Sequence, residues 1–264
     1  MRMEWRESES VRWLEADLGG ARVAFGTRLG GVSPAPFGSL NLGLLTDDAD
    51  ENAIENRRRL AAALGFPPER VAYALQVHGA ELATVPSSFR GSFVVPETTK
   101  EPRDELTAAD GQVVATPGLA GLVFTADCLP VAVHGPGGVA MLHCGWRGLA
   151  AGIVAKGAEA VGATSAAIGP GIGPCCYEVG PEVLAAVGIA ADGPISAAIG
   201  DKSARRHLDL VEVARRLLAE AGVERVEAAG LCTSCEAELF FSHRRDAGVT
   251  GRQGSLAWLT RAES

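Results

Sequence analysis

Alternating apolar and polar positions run along VRWLEADLGGARVAFGTR, residues 11–28, on either side of Gly19-Gly20. That pattern predicts a β-hairpin closed by a glycine turn. GGVSPAPFGSLNLG (30–43) has no period and is rich in Gly, Ser and Pro, so it reads as a loop. The spacing changes in DADENAIENRRRLAAALG (48–65). Ile54, Leu60, Ala61 and Leu64 share one face, acids crowd the first turn and Gly65 follows, which predicts a helix. VAYALQVHG (71–79) reads as a strand ending at His78. Residues 86–109, PSSFRGSFVVPETTKEPRDELTAA, are polar and interrupted by Pro, and read as a surface excursion. GLVFTADC, PVAVHG and GVAMLHCG are three strand-like runs, and RGLAAGIVAKGAEAVG (147–162) is a helix. SAAIGPGIG is a strand entering a Gly/Pro loop, DLVEVARRLLAEAG (209–222) a helix with Leu210, Val213, Leu217 and Leu218 on one side, and VERVEAAGLC a strand. Strands and helices intermix and hairpins are frequent. The expectation is one α/β domain over residues 1–264 with mixed sheets.

Composition narrows the class. The chain has 264 residues, 47% of them apolar, enough to bury a core without staples. A net charge of −8 argues against a general nucleic-acid partner. No apolar run is long enough for a membrane span, and MRMEWRESES lacks the apolar core of a secretion signal. A cytoplasmic protein with a small-molecule substrate is the expectation, monomeric or homodimeric. Six cysteines, at 128, 144, 175, 176, 232 and 235, are few for this length. In a reducing compartment they read as ligands, reactive thiols or small core residues rather than disulfides.

Three candidate ligands close strand-like runs: His78 in ALQVH, Cys128 in GLVFTADC and His143 in GVAMLH. A breaker follows each: Gly79, Pro130 and Gly145. Taken singly, each fits an ordinary buried side chain. Jointly, two imidazoles and a thiolate suit zinc with a fourth position open. Cys128 as a thiolate nucleophile activated by His143, without metal, is a second possibility.

The motifs TRLGGVS, SLNLG, QVHGAE, ADGQV, TADCLPV, HCGWRGLAAGIV, IGPGIGPCCYEVG, LDL and FFSHRRDAGVTGRQGSLAWL resemble, in sequence and order, the YfiH family. That family is also called multicopper polyphenol oxidase or laccase domain and, in newer usage, purine nucleoside phosphorylase. The resemblance spans about residue 20 to residue 260. It implies an α/β/β/α sandwich related to cysteine-hydrolase toxins. It also implies a zinc site at His78, Cys128 and His143, with Cys144 a buried neighbour. The implied activity is phosphorolysis of adenosine, inosine, guanosine and methylthioadenosine, with deamination of adenosine. A bacterial branch implies an amidase that edits peptidoglycan precursors. The chain departs from the family in two places: His243 stands where FFSYRRD has Tyr, and the 86–109 excursion is longer than typical.

Chemistry weighs these options. A multicopper centre needs many imidazoles, and the chain has five His, at 78, 134, 143, 207 and 243. Two His and one Cys are also the equatorial set of a mononuclear blue-copper centre, with Met141 near His143 in sequence, so one copper ion is a lesser alternative to zinc. The H-x-E and P-C-x-x-C deaminase signature is absent, so deamination would use another arrangement, with Asp127 as candidate acid/base. For phosphate, Arg28 in TRLGG and Arg147 in GWRG are the candidate cations. Asn41 and Gln76 are candidate contacts to the nucleoside. Cys175, Cys176, Cys232 and Cys235 include one C-x-x-C pair, but adjacent cysteines make awkward zinc geometry, so all four are read as structural thiols.

Overall fold

In a computed structural model, residues 2–91, 93, 106–188, 199–202 and 205–260 are described. Two six-stranded sheets lie face to face. The first holds β1 (Met3–Ser8), β2 (Val11–Asp17), β3 (Ala21–Gly26), β4 (Val71–Ala72), β7 (Ala120–Thr125) and β15 (Gln253–Leu259), in the order β1-β2-β3-β15-β7-β4. The second holds β5 (Leu82–Val85), β6 (Gly111–Val114), β8 (Leu129–Gly135), β9 (Gly138–Cys144), β10 (Ser165–Ile168) and β14 (Arg225–Ala228), in the order β14-β10-β8-β9-β6-β5. Both are mixed: β4 runs parallel to β7, β14 to β10 and β5 to β6, and the other pairs are antiparallel.

Side-chain alternation explains the layering. Val23, Phe25, Val123 and Ala257 of the first sheet meet Ala132, Val139, Met141 and Ala167 of the second in a shared core. Opposite-facing residues of the second sheet, among them Val131, Ala140, Leu142 and Ile168, pack under helices α2 (Trp146–Ala150), α3 (Ile153–Val161), α4 (Pro181–Ala186) and α5 (Leu210–Glu220). Helix α1 (Asp50–Ala63) covers the outer face of the first sheet through Leu60 and Ala61. The result is the expected α/β/β/α sandwich. A three-stranded ribbon of β11 (Glu178–Val179), β13 (Arg205–Leu208) and β12 (Ile199–Lys202) is added to it. No helix among the described residues is long and apolar enough to cross a membrane.

Three local expectations change. The 71–79 stretch pairs only through Val71–Ala72 and an isolated Leu75–Ala108 bridge. Its end is a loop because one side chain, the Asp110 carboxylate, rather than a neighbouring strand takes up the N–H groups of Val77, His78 and Gly79. The 147–162 helix is two helices, α2 and α3, divided where Gly152 adopts φ 84°. The 86–109 stretch is not wholly superficial: Phe89 packs on the inter-sheet core and Phe93 is fully buried. Residues 92 and 94–105 of that excursion lie outside the described residues. The charged N-terminus, to which the sequence pattern assigned no element, forms β1, paired to β2 along its whole length.

Candidate active site

The chain crosses from the first sheet to the second between β7 and β8. The turn is tight enough to hold Asp127 at φ 95°. Cys128 follows it. On β9, Val139 and Met141 face the inter-sheet core while Ala140, Leu142 and Cys144 face the helices. Period two puts His143 on the inter-sheet side, next to the crossing, and buries Cys144 on the other. His78 reaches in from the loop after β4, itself at φ 61°. One ligand atom from each of His78, Cys128 and His143 lies within 4.8 Å of the other two. The two imidazoles meet edge to face, with ring centroids 4.8 Å apart.

Asp110 organises this arrangement. It sits at the entrance to β6 with its side chain fully buried. Oδ1 accepts from His78 N at 2.9 Å and pairs with His143 Nδ1 at 2.8 Å. Oδ2 accepts from Val77 N at 3.1 Å and Gly79 N at 2.7 Å. One carboxylate therefore shapes the His78 loop and occupies Nδ1 of His143, leaving Nε2 as that ring's ligand atom. Burial raises the Asp110 carboxyl, but the bonds to His143 and the backbone outweigh it and hold it below its ordinary range. Sequence reasoning missed Asp110. It stood in ADGQV with no partner visible, and its partners are 31 to 33 residues away in the chain.

Burial likewise pushes the Cys128 thiol up, yet the neighbouring His143 and His78 bring it down to about 6. His143 is drawn above its ordinary value against burial by Cys128 and Asp110. Gly145 is required by proximity, since a Cβ there would stand 2.8 Å from the Cys128 sulfur. The donor set fits a metal: soft thiolate and imidazole, with one ligand histidine oriented by a buried carboxylate.

A cavity of about 760 Å³ opens over the centre. Tyr73, Phe124, Trp146 and Tyr177 supply aromatic wall, and Arg147, Arg244 and Arg252 supply cationic wall. The Arg147 guanidinium lies 4.4 Å over the Trp146 ring. Arg244 stacks on Tyr177 at 5.1 Å and donates to the Glu178 carbonyl. His243 also lines this cavity. Tyr73, Phe124, Tyr177, Arg244 and Arg252 were not singled out from sequence. An Arg or aromatic on a loop carries no local signal of what it faces.

Gln76 and Asp127 line the cavity with committed side chains. Gln76 donates to the Phe124 carbonyl and accepts from the Phe124 N–H, at 2.8 and 2.7 Å. Asp127 Oδ1 accepts from Thr233 Oγ1 at 2.6 Å and Oδ2 from Arg244 N at 2.7 Å. Arg28 and Asn41 do not line it. Arg28 donates to the carbonyls of Gly38 and Ala237 and stacks on Phe241. Asn41 is fully buried and braces its own loop, accepting from Gly43 N and Arg252 N and donating to Asp48.

The chain is similar to known proteins over nearly its whole length. The family model described as multi-copper polyphenol oxidoreductase laccase matches residues 22–260. The purine nucleoside phosphorylase YlmD of Geobacillus stearothermophilus is 37% identical over 97% of this chain and 97% of its own length. The purine nucleoside phosphorylase YfiH of Escherichia coli is 38% identical over 91% of this chain and 94% of its own. The crystal structure of the Geobacillus YlmD superposes with a TM-score of 0.84 at 36% identity, covering 97% of this chain and 98% of that one. A Bacillus licheniformis YfiH structure gives the same TM-score at 34% identity, covering 97% of this chain and 99% of that one.

Proposed function

The chain belongs to the family of the multi-copper polyphenol oxidoreductase laccase model, and from that premise we propose that it is a purine nucleoside phosphorylase working at the His78, Cys128, His143 centre with one zinc ion. The observation that carries the reading is the juxtaposition of that donor set with a cavity walled by aromatic rings and arginines. A zinc ion held by these three residues would supply Lewis-acid charge to the cavity. The borderline-soft N/S donors favour zinc over a copper cluster, for which two imidazoles are too few.

The protein's own groups take the following parts. An oxygen of monohydrogen phosphate attacks C1′ of the nucleoside, the C1′–N9 bond breaks, and the purine leaves with the bonding electron pair and takes up the proton that the phosphate gives up. Arg147 holds the phosphate, because its planar guanidinium offers two parallel donors at the cavity wall. Arg244 and Arg252 add positive potential. The purine stacks on the aromatic wall. Asp127, Gln76, Asn41 and Arg28 act as positioning residues in this reading. The bonds described above already engage their polar atoms, and Arg28 and Asn41 stand outside the cavity. Adenosine, inosine, guanosine and methylthioadenosine are the expected substrates, with adenosine deamination as a side activity.

One observation favours a second reading. Cys128, His143 and Asp110 form a thiol–imidazole–carboxylate series, with the thiol lowered to about 6. Without metal this is the arrangement of a cysteine amidase, such as one editing peptidoglycan precursors. The test is to incubate protein of known zinc content with adenosine, with and without phosphate, and separate the products. Adenine and ribose 1-phosphate appearing only with phosphate is the expected result. No turnover by the zinc-loaded protein, together with amide hydrolysis by the metal-free protein, would overturn the phosphorylase reading in favour of the amidase.

A further inference from the structure

Four cysteines that sequence reading kept apart from metal chemistry converge at the fold's surface. Strands β10 and β14 run parallel and side by side, so their following loops leave the sheet together. An isolated bridge between Gly171 and Cys232 continues the pairing into the loops. One loop turns tightly at 173–177, where Cys176 N and Tyr177 N both bond to the Gly173 carbonyl. That turn carries Cys175 and Cys176. The other turns at 232–236, where Cys235 N and Glu236 N bond to the Cys232 carbonyl. All four sulfurs lie within 4.8 Å of one another. Cys175 and Cys176 stand 3.4 and 3.5 Å from the Cys235 sulfur.

We infer that Cys175, Cys176, Cys232 and Cys235 form a second, four-thiolate metal site that takes one zinc ion and clamps these two loops together. Four thiolates at about 2.3 Å from a tetrahedral ion stand about 3.8 Å from each other, within the spread seen here. The C-x-x-C turn already has the hydrogen bonding that suits a thiolate, with Gly173 N donating to the Cys232 sulfur at 3.2 Å. Adjacent cysteines are awkward ligands on a strand or helix, but the 173–177 turn directs both thiols to the Cys235 sulfur. Without a cation the thiols differ: burial and hydrogen bonds to Cys235, Cys232 and Cys176 push Cys175 up, whereas Cys232, raised by burial, is held below its ordinary value by the backbone N–H groups of Gly173 and Cys235. A divalent ion displaces the remaining protons to solvent. Cys175 and Cys235 are exposed, which gives an ion a path in.

The clamp would bear on the cavity without entering it. Tyr177 follows Cys176 and lines the cavity, and Thr233 follows Cys232 and holds Asp127. The inference is independent of which reaction the cavity performs.

The test is an anaerobic cobalt titration of the full chain, stripped with chelator under a phosphine reductant. Thiolate-to-cobalt absorption is the readout. Two equivalents should bind, and one should carry the stronger charge-transfer band because it has four Co–S bonds against one. His78→Ala/His143→Ala should keep that strong band. Cys232→Ser/Cys235→Ser should lose it along with one of the two equivalents. If the serine variant fails to fold, thiol modification of the wild type decides. The four cysteines should resist a thiol reagent when zinc is bound and react after chelation. A titration without the strong band, a strong band that survives Cys232→Ser/Cys235→Ser, or thiol reactivity that zinc leaves unchanged would each overturn the inference. So would a disulfide among the four, seen as a loss of two hydrogens in mass, in protein purified under reductant.

Discussion

Asp110→Asn is the sharpest perturbation of the proposed metal centre, because it exchanges one oxygen for an NH₂ group and changes almost no volume. Each Asp110 oxygen takes two donors: His78 N and His143 Nδ1 on one, Val77 N and Gly79 N on the other. An amide has one accepting oxygen, so whichever way it turns, two donors face an NH₂ group. With the NH₂ toward Oδ2, Val77 and Gly79 lose their acceptor and the loop holding His78 at φ 61° is released. With the NH₂ toward Oδ1, His143 must present an unprotonated Nδ1, which moves its proton to Nε2 and removes that nitrogen as a ligand. Either outcome weakens the metal site. Hydrogen bonds to charged groups contribute about 1.5–3 kcal/mol each, and relaxation of the strained loop brings the expected cost for two to about 2–4 kcal/mol. That corresponds to a fall in Tm of roughly 5–10 °C for a chain of this size. Zinc affinity should fall about 10–100-fold, the usual effect of removing an orienting carboxylate. Zinc competition with a chromophoric chelator and a thermal melt of the metal-free protein measure the two effects separately. An Asp110→Asn protein with zinc affinity within about twofold of wild type and a Tm within about 1 °C would refute the role given to Asp110.

Three further outcomes are expected. In chelated protein, alkylation of Cys128 should titrate near 6, since a lowered thiol stays ionised above that pH and protonates below it, while Cys144, raised by burial, should not react; peptide mapping across pH checks this, and a Cys128 midpoint at the ordinary thiol value of about 8.5 would contradict it. Arg147→Ala should raise KM for phosphate about tenfold or more, from the ~1.5–3 kcal/mol of charged hydrogen bonding removed, with KM for the nucleoside little changed; equal effects on both would take Arg147 off the phosphate. Phe25→Ala should destabilise by about 3–5 kcal/mol in a denaturant titration. Phe25 is 1% exposed in the inter-sheet core, and its ring lies so close to Gly169 that a Cβ there would meet it at 2.3 Å; a loss below about 1 kcal/mol would mean that the two sheets do not depend on that contact.

Local signals in the sequence sufficed for part of this molecule. The β2–β3 hairpin followed from alternation around Gly19-Gly20, and α5 from its periodic Leu and Val positions behind Asp209, whose side chain caps Val211 and Glu212. His78, Cys128 and His143 could be proposed jointly because zinc-binding residue types are few and the motifs around them are distinctive. Those signals depend on neighbours within a few residues, so they survive without the fold. Everything requiring distant partners had to wait. Asp110 and Asp127 are carboxylates whose meaning lies 31 to 33 and 106 to 117 residues away respectively. Arg28 and Asn41 looked like ligand contacts in glycine-bearing motifs, yet folding turns Asn41 toward its own loop and Arg28 toward the Gly38 and Ala237 carbonyls and the Phe241 ring. Cys232 and Cys235 announced a pair, but only the parallel alignment of β10 with β14 brought Cys175 and Cys176 to them. Side-chain chemistry is written residue by residue. Which donors meet which acceptors is decided when two sheets close on a common core and carry their loops to the same edge.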